Sequence, residues 1–347
     1  MLAETRRLAR VSNLELDPAE TVDECRAAGD SAAPMVVLEP REVPLGGPRA
    51  MTVHRTLPQR ARSTIGAWCF IDHYGPDDVS LTGGMTVPPH PHIGLQTVSW
   101  LFRGEVQHRD SVGSDALVRP GELNLMTAGR GISHTEYSTP ATTVLHGVQL
   151  WLMLPDAERD RPPSFEHTEP VPFSLMTDAG AAVRTHVFVG SLVGFPEHAA
   201  ATDVHSPLLG AQLELPTGVL LQLSLDPSFE HGILVDQGAV EVDGAALGER
   251  ELGYLEPGRD RVRVYATAGS RLLLLGGAPL NEPIVMWWNF VGRTHDDIVR
   301  ARADWQSQAI EGPREASGRF GFVPISQGEA PLPAPVLPTV RLKPREQ

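Results

Sequence analysis

A chain of 347 residues has room for one large or two ordinary domains. Its formal net charge of −14 excludes a nucleic acid or an anionic membrane as a direct partner, since both require a basic footprint. With 21% charged residues and two cysteines, Cys25 and Cys69, a long coiled coil and a disulfide framework are excluded as well.

Residues 1–34 read as an N-terminal extension, polar and weakly helical in period. Arg6, Arg7 and Arg10 are followed by Asp17, Glu20, Asp23 and Glu24, an acidity that transit peptides lack. No apolar run has secretory length, and the longest, 148–154 and 272–275, fall far short of the roughly 20 residues of a spanning helix. A cytoplasmic protein without membrane contact is the expectation. Residues 35–155 carry short segments rich in Val, Leu, Thr, Trp and Phe, punctuated by turn signals at 83–84, 113–115, 120–121 and 129–131. That spacing predicts an all-β sandwich or barrel. Residues 156–183, charged and proline-rich, predict a linker and the first strands of a second β unit at 184–292. Within it, 239–244 is an alternating strand ending in an Asp-Gly turn, and 261–265 alternates likewise. A Pro-Gly turn before an apolar strand recurs at 120–121 and 257–258, which suggests duplication. Residues 293–347 open with a helix capped by Thr294, with Asp296 and Asp297 in its first turn. Ile298, Ala301, Trp305 and Ala309 form its apolar stripe, and an extended Pro-rich tail follows. Met286, Trp287 and Trp288 read as a buried anchor for this helix.

His90-Pro91-His92 places two imidazoles on one strand face, and His134-Thr135-Glu136 repeats the spacing with a carboxylate. Three imidazoles and one carboxylate suit a single divalent metal, Fe(II) above all, with Ni, Cu, Mn or Zn as competitors. Open positions would remain for substrate or dioxygen. With 13 histidines in the chain an isolated HxH has little specificity, and a lone histidine in a β protein is more often structural. His108, His146 and His205 are read that way, His108 also as a candidate for the pocket rim. Glu230 and His231 are adjacent and face opposite ways on a strand, so the second unit is expected to carry no metal. Gly129-Arg130-Gly131 reads as the turn before His134, and Cys69, beside Phe70, as inert.

The stretches HPHIGLQTVSWLFRGEVQHRDSVGS (90–114) and RPGELNLMTAGRGISHTE (119–136) resemble the pirin family of the cupin superfamily. Residues 70–75, 146–154 and 274–284 fit the same pattern. The resemblance implies two jelly-roll-like cupin β-barrels in tandem, with the family's metal ligands falling on His90, His92, His134 and Glu136. It implies iron as the metal. Some bacterial members oxidise the flavonol quercetin as 2,3-dioxygenases, whereas the animal pirin is linked to transcriptional co-regulation. The implied activity is therefore a metal-dependent dioxygenase acting on a phenolic or enolisable small molecule. The alternative is a metal- or redox-sensing protein that regulates a protein partner. Most relatives follow the HPH pair with Arg, Gly, Phe and Glu, where this chain has Ile93, Gly94, Leu95 and Gln96. Gln96 shares parity with His90 and His92, which predicts a neutral hydrogen-bond partner in the pocket. Glu136 is then the remaining carboxylate that can act as a base.

Overall fold

The computed structural model describes residues 34–45, 51–312, 318–324 and 330–344, so the expected N-terminal extension lies almost wholly outside the described residues. Alternation builds the strands as the sequence predicts. Arg261–Ala266 exposes and buries its residues in turn, and Val106–Asp110 buries Val106, His108 and Asp110. The Asp-Gly turn also forms: Asp243 and Gly244, both at positive φ (49° and 87°), join Val240–Val242 to Ala245–Leu247.

Duplication is plain in the pairing order. One seven-stranded sheet runs Ser164–Thr168, Leu123–Thr127, Leu95–Arg103, Val144–Met153, Trp68–Asp78, Met51–Leu57, Arg41–Leu45. The other runs Val36–Leu38, Leu252–Leu255, Glu230–Gln237, Ser270–Gly277, Leu208–Leu215, Ala182–Gly190, Phe173–Met176. Each is accompanied by a four-stranded sheet of the same order. Thr86–His92, Ile132–Ser138, Val106–Asp110 and Asp115–Val118 form the first, and Leu220–Ser224, Arg261–Ala266, Val240–Val242 and Ala245–Leu247 the second. Sequence reading expected barrels. Among the described residues no strand pairing joins the two sheets of either unit, and each is an open jelly-roll sandwich.

The outer edge strands are placed differently from the sequence boundaries. Val36–Leu38, expected within the first unit, pairs with Leu252–Leu255 of the second. Ser164–Thr168, expected in the linker, pairs with Leu123–Thr127 of the first. Each covers an otherwise open sheet edge. A five-residue strand between proline-rich flanks has too few residues to show a period.

The two large sheets share one core, in which Trp68, Trp100 and Leu150 of the first unit meet Phe188, Leu234 and Leu273 of the second. Trp100 stacks on Phe188 at 4.7 Å, and its indole donates to Gln212 Oε1 at 2.7 Å. Inside the second unit the equivalents of the histidine-bearing strands bury Leu221, Leu223, Val262 and Val264, so its interior is filled with aliphatic side chains.

The helix His295–Trp305 forms with a capping box between Thr294 and Asp297, and buries Ile298, Ala301 and Trp305. A π-helical turn, Gln306–Ile310, extends it and buries Ala309. Trp287 and Trp288 are buried against it in the hairpin of Val285–Trp287 and Phe290–Gly292, as expected, whereas Met286 is only partly buried and packs on the core shared by the two large sheets. The tail lies on the first unit: the Leu332 amide donates to the Pro89 carbonyl at 2.9 Å, and Trp305 Nε1 donates to the Leu332 carbonyl at 2.8 Å. Among the described residues no helix is long and apolar enough to cross a membrane.

Candidate metal centre

His90 and His92 occupy Thr86–His92, and His134 and Glu136 occupy the neighbouring Ile132–Ser138. The antiparallel register sets His134 opposite His90, and a bulge between His134 and Glu136 re-aims the carboxylate. His90, His92 and His134 offer ring nitrogens within 4.8 Å of one another. Their centroids lie 5.0, 4.3 and 5.0 Å apart. Glu136 shares such a group with His134 and His108. All four residues line one pocket, together with Val53, Phe70, Asp72, Tyr74 and Trp151.

The hydrogen bonds decide which nitrogen each ring presents. His90 Nδ1 faces the Pro88 carbonyl at 2.9 Å and His92 Nδ1 the Asn289 carbonyl at 3.2 Å. A carbonyl only accepts, so both Nδ1 atoms carry the hydrogen and both Nε2 atoms keep their lone pairs. His134 Nε2 is buried with no hydrogen-bond partner. Burial drives the His90 pKa down to about 4 and lowers those of His92 and His134 well below the ordinary histidine value. Neutral imidazoles whose Nε2 atoms converge on one pocket form a donor set that fits a divalent cation. Burial raises the pKa of Glu136, offset in part by hydrogen bonds from Ser99 and Gln149. Its Oε1 lies 3.1 Å from the Ser99 hydroxyl.

Gln96 requires a correction. Its amide donates to Thr127 Oγ1 at 2.8 Å and to the Asp203 carbonyl at 3.0 Å, on the face of Leu95–Arg103 turned to the second unit. Strand parity does not cross the turn at Gly94, where φ is +68° and an added Cβ would collide with the Val291 carbonyl. Residues of Leu95–Arg103 that face the site are odd-numbered, as Ser99 shows.

Several contributors escape sequence reading. Asn289 reaches His92 from a hairpin 197 residues away. Asp72 lines the cavity in a buried two-pronged ion pair with Arg55, at 2.6 and 2.8 Å. His108, expected at the rim, stands beside His134 and Glu136. His146 is not isolated either: with His73 it meets Asp236 of the second unit, both Nε2 atoms lying 2.6 Å from Asp236 Oδ1. Arg271 Nε donates to the other oxygen at 2.5 Å. His205 stacks no site residue and contacts Arg161. In the second unit Glu230 accepts from the Gly66 amide at 2.6 Å and the Tyr254 hydroxyl at 2.9 Å, which ties the units together.

Two protein-family models match the chain, one described as Pirin over residues 50–152 and one as the Pirin C-terminal cupin domain over 210–311. A Pseudomonas aeruginosa protein named "Putative quercetin 2,3-dioxygenase" is 44% identical over 298 residues, spanning 86% of this chain and 89% of its own. A "Pirin-like protein" of Caulobacter vibrioides is 36% identical over 290 residues, spanning 82% and 97%. The crystal structure of quercetin 2,3-dioxygenase from Acinetobacter baumannii is similar with a TM-score of 0.79 at 38% identity, over 89% of this chain and 97% of that one.

Proposed function

The chain belongs to the pirin family, and from that premise we propose that it is a metal-dependent dioxygenase of the quercetinase type. The observation that carries this reading is the convergence of three buried histidines, His90 and His92 with Nδ1 held by a backbone carbonyl and His134 with Nε2 buried and unpartnered. His90, His92 and His134 would hold the ion, with Glu136 as the carboxylate of the set; Fe(II) suits these donors and an oxygenase role. When bound, the ion supplies Lewis acidity and open positions for an ionised phenol or enol and for dioxygen.

The chain's own groups supply the rest. Glu136, the carboxylate of the set, is placed to take the hydroxyl proton of the substrate. Ser99 and Gln149, whose Oγ and Oε1 atoms lie 3.0 Å apart, hold that carboxylate in place. Trp151, edge-on to His92 at 5.1 Å and stacked on Phe70 at 4.0 Å, keeps one wall apolar and excludes water.

The burial of His90, His92, His134 and Glu136 favours a second reading, in which the metal centre senses metal or redox state and a protein partner reads the surface. Oxygen uptake by metal-replete protein, screened with quercetin, other flavonols and small enolisable phenols, separates the two. Uptake that depends on His92 supports the dioxygenase; none with any of them supports the sensor.

A further inference from the structure

His108 and Asp110 occupy the strand that pairs with Ile132–Ser138 on the side away from His90, with Glu136 opposite His108 and His134 opposite Asp110. Both are buried, and neither belongs to the four-residue set read from the sequence. Asp110 Oδ2 lies 3.1 Å from His108 Nε2, and His108 Nδ1 lies 3.3 Å from His134 Nδ1. The carboxylate can only accept, so His108 Nε2 carries a hydrogen, and the tautomer this selects presents a lone pair at Nδ1. That lone pair requires a hydrogen on His134 Nδ1, which leaves His134 Nε2 free.

We propose that His108, oriented by Asp110, is a positioning residue that fixes His134 in the tautomer that ligates a metal. His90 and His92 obtain the same tautomer from backbone carbonyls. At His134 no carbonyl takes that part, and a side-chain pair does so instead. The pair is itself held. Asp110 Oδ1 accepts the amides of Val112 and Ser114, each at 3.0 Å, which locks the carboxylate onto the turn after its strand. His108 stacks on Phe165 at 4.5 Å and 16°. Phe165 lies on the edge strand Ser164–Thr168, so the segment expected as linker buttresses the ring. Outer partners of this kind raise ligand basicity and fix ring orientation.

The inference rests on the metal-centre reading, and two measurements on the full chain keep the failures apart. The first is metal affinity by competition with a chelator, using zinc as the probe. His108→Phe, which keeps the stack and removes the acceptor, and Asp110→Asn are each expected to weaken zinc binding about 10–100-fold. His108→Gln, which retains a donor and an acceptor, is expected to recover part of that loss. Unchanged affinity in His108→Phe overturns the inference; no zinc binding by the unsubstituted chain overturns the metal-centre reading instead. The second is the ¹⁵N signature of His134 in the metal-free chain. A hydrogen on Nδ1 in the unsubstituted protein, and a mixture of tautomers in His108→Phe, are expected. A hydrogen on Nε2 before substitution overturns the inference whatever the zinc result.

Discussion

The buried histidines of this chain do different work according to what faces each ring nitrogen. At His90 and His92 a carbonyl on Nδ1 leaves Nε2 for a cation. Among the described residues no metal-ligating group converges on His231, and burial lowers its pKa to about 4. The unfolded chain then takes up a proton near the ordinary value of 6.5 while the folded chain refuses it until about 4. Its contribution to stability is therefore present above 6.5 and lost as pH falls towards 4. Denaturant midpoints of the metal-free chain are expected to fall over that window, with a shallower fall in His231→Leu; equal slopes would contradict the assignment. Residue type and i, i+2 spacing, weak by themselves, together with the family resemblance singled out His90, His92, His134 and Glu136 in the sequence, and the structure brings them to one pocket. Gln96 was misplaced because parity was carried across the Gly94 turn. Asn289 left no signal, since its backbone carbonyl is the active group.

At the scale of elements, the histidine strand Thr86–His92 is an edge strand of its sheet, and it is covered from outside. Val291 donates its amide to the Ile93 carbonyl at 3.1 Å, and the tail seats Leu332 among Val53, Tyr74, Met85 and Val87. All four of these line the cavity as well. Leu332→Ala is expected to cost about 2–4 kcal/mol by opening a void in that wall. It should also speed removal of metal by a chelator. A thermal midpoint and a removal rate equal to those of the unsubstituted chain would show that the tail covers nothing of consequence. The helix was readable from its cap, first-turn acids and stripe, because those signals are local. The tail's docking was not: a proline-rich run shows extension but carries no mark of the surface it lies on.

Across the whole molecule, duplication and acidity were legible, while the exchange of edge strands and the shared core were not. Such contacts depend on which residues meet between units, and period within a strand does not report it. The cluster of His73, His146, Asp236 and Arg271 is one of these meetings, with Asp236 held well below the usual carboxylate range because hydrogen bonds from His146 and His73 outweigh the upward push of burial. Asp236→Ala would strand Arg271 beside two imidazoles and is expected to cost roughly 3 kcal/mol or more, read from denaturant unfolding. A loss under about 1 kcal/mol would mean that the cluster does not hold the units together. The account turns most on the first unit as a metal centre, and elemental analysis of the purified full chain tests that directly. About one divalent ion per chain is expected in the unsubstituted protein and none in His92→Ala, with the fold confirmed by circular dichroism; metal content that is unchanged by that substitution would contradict it.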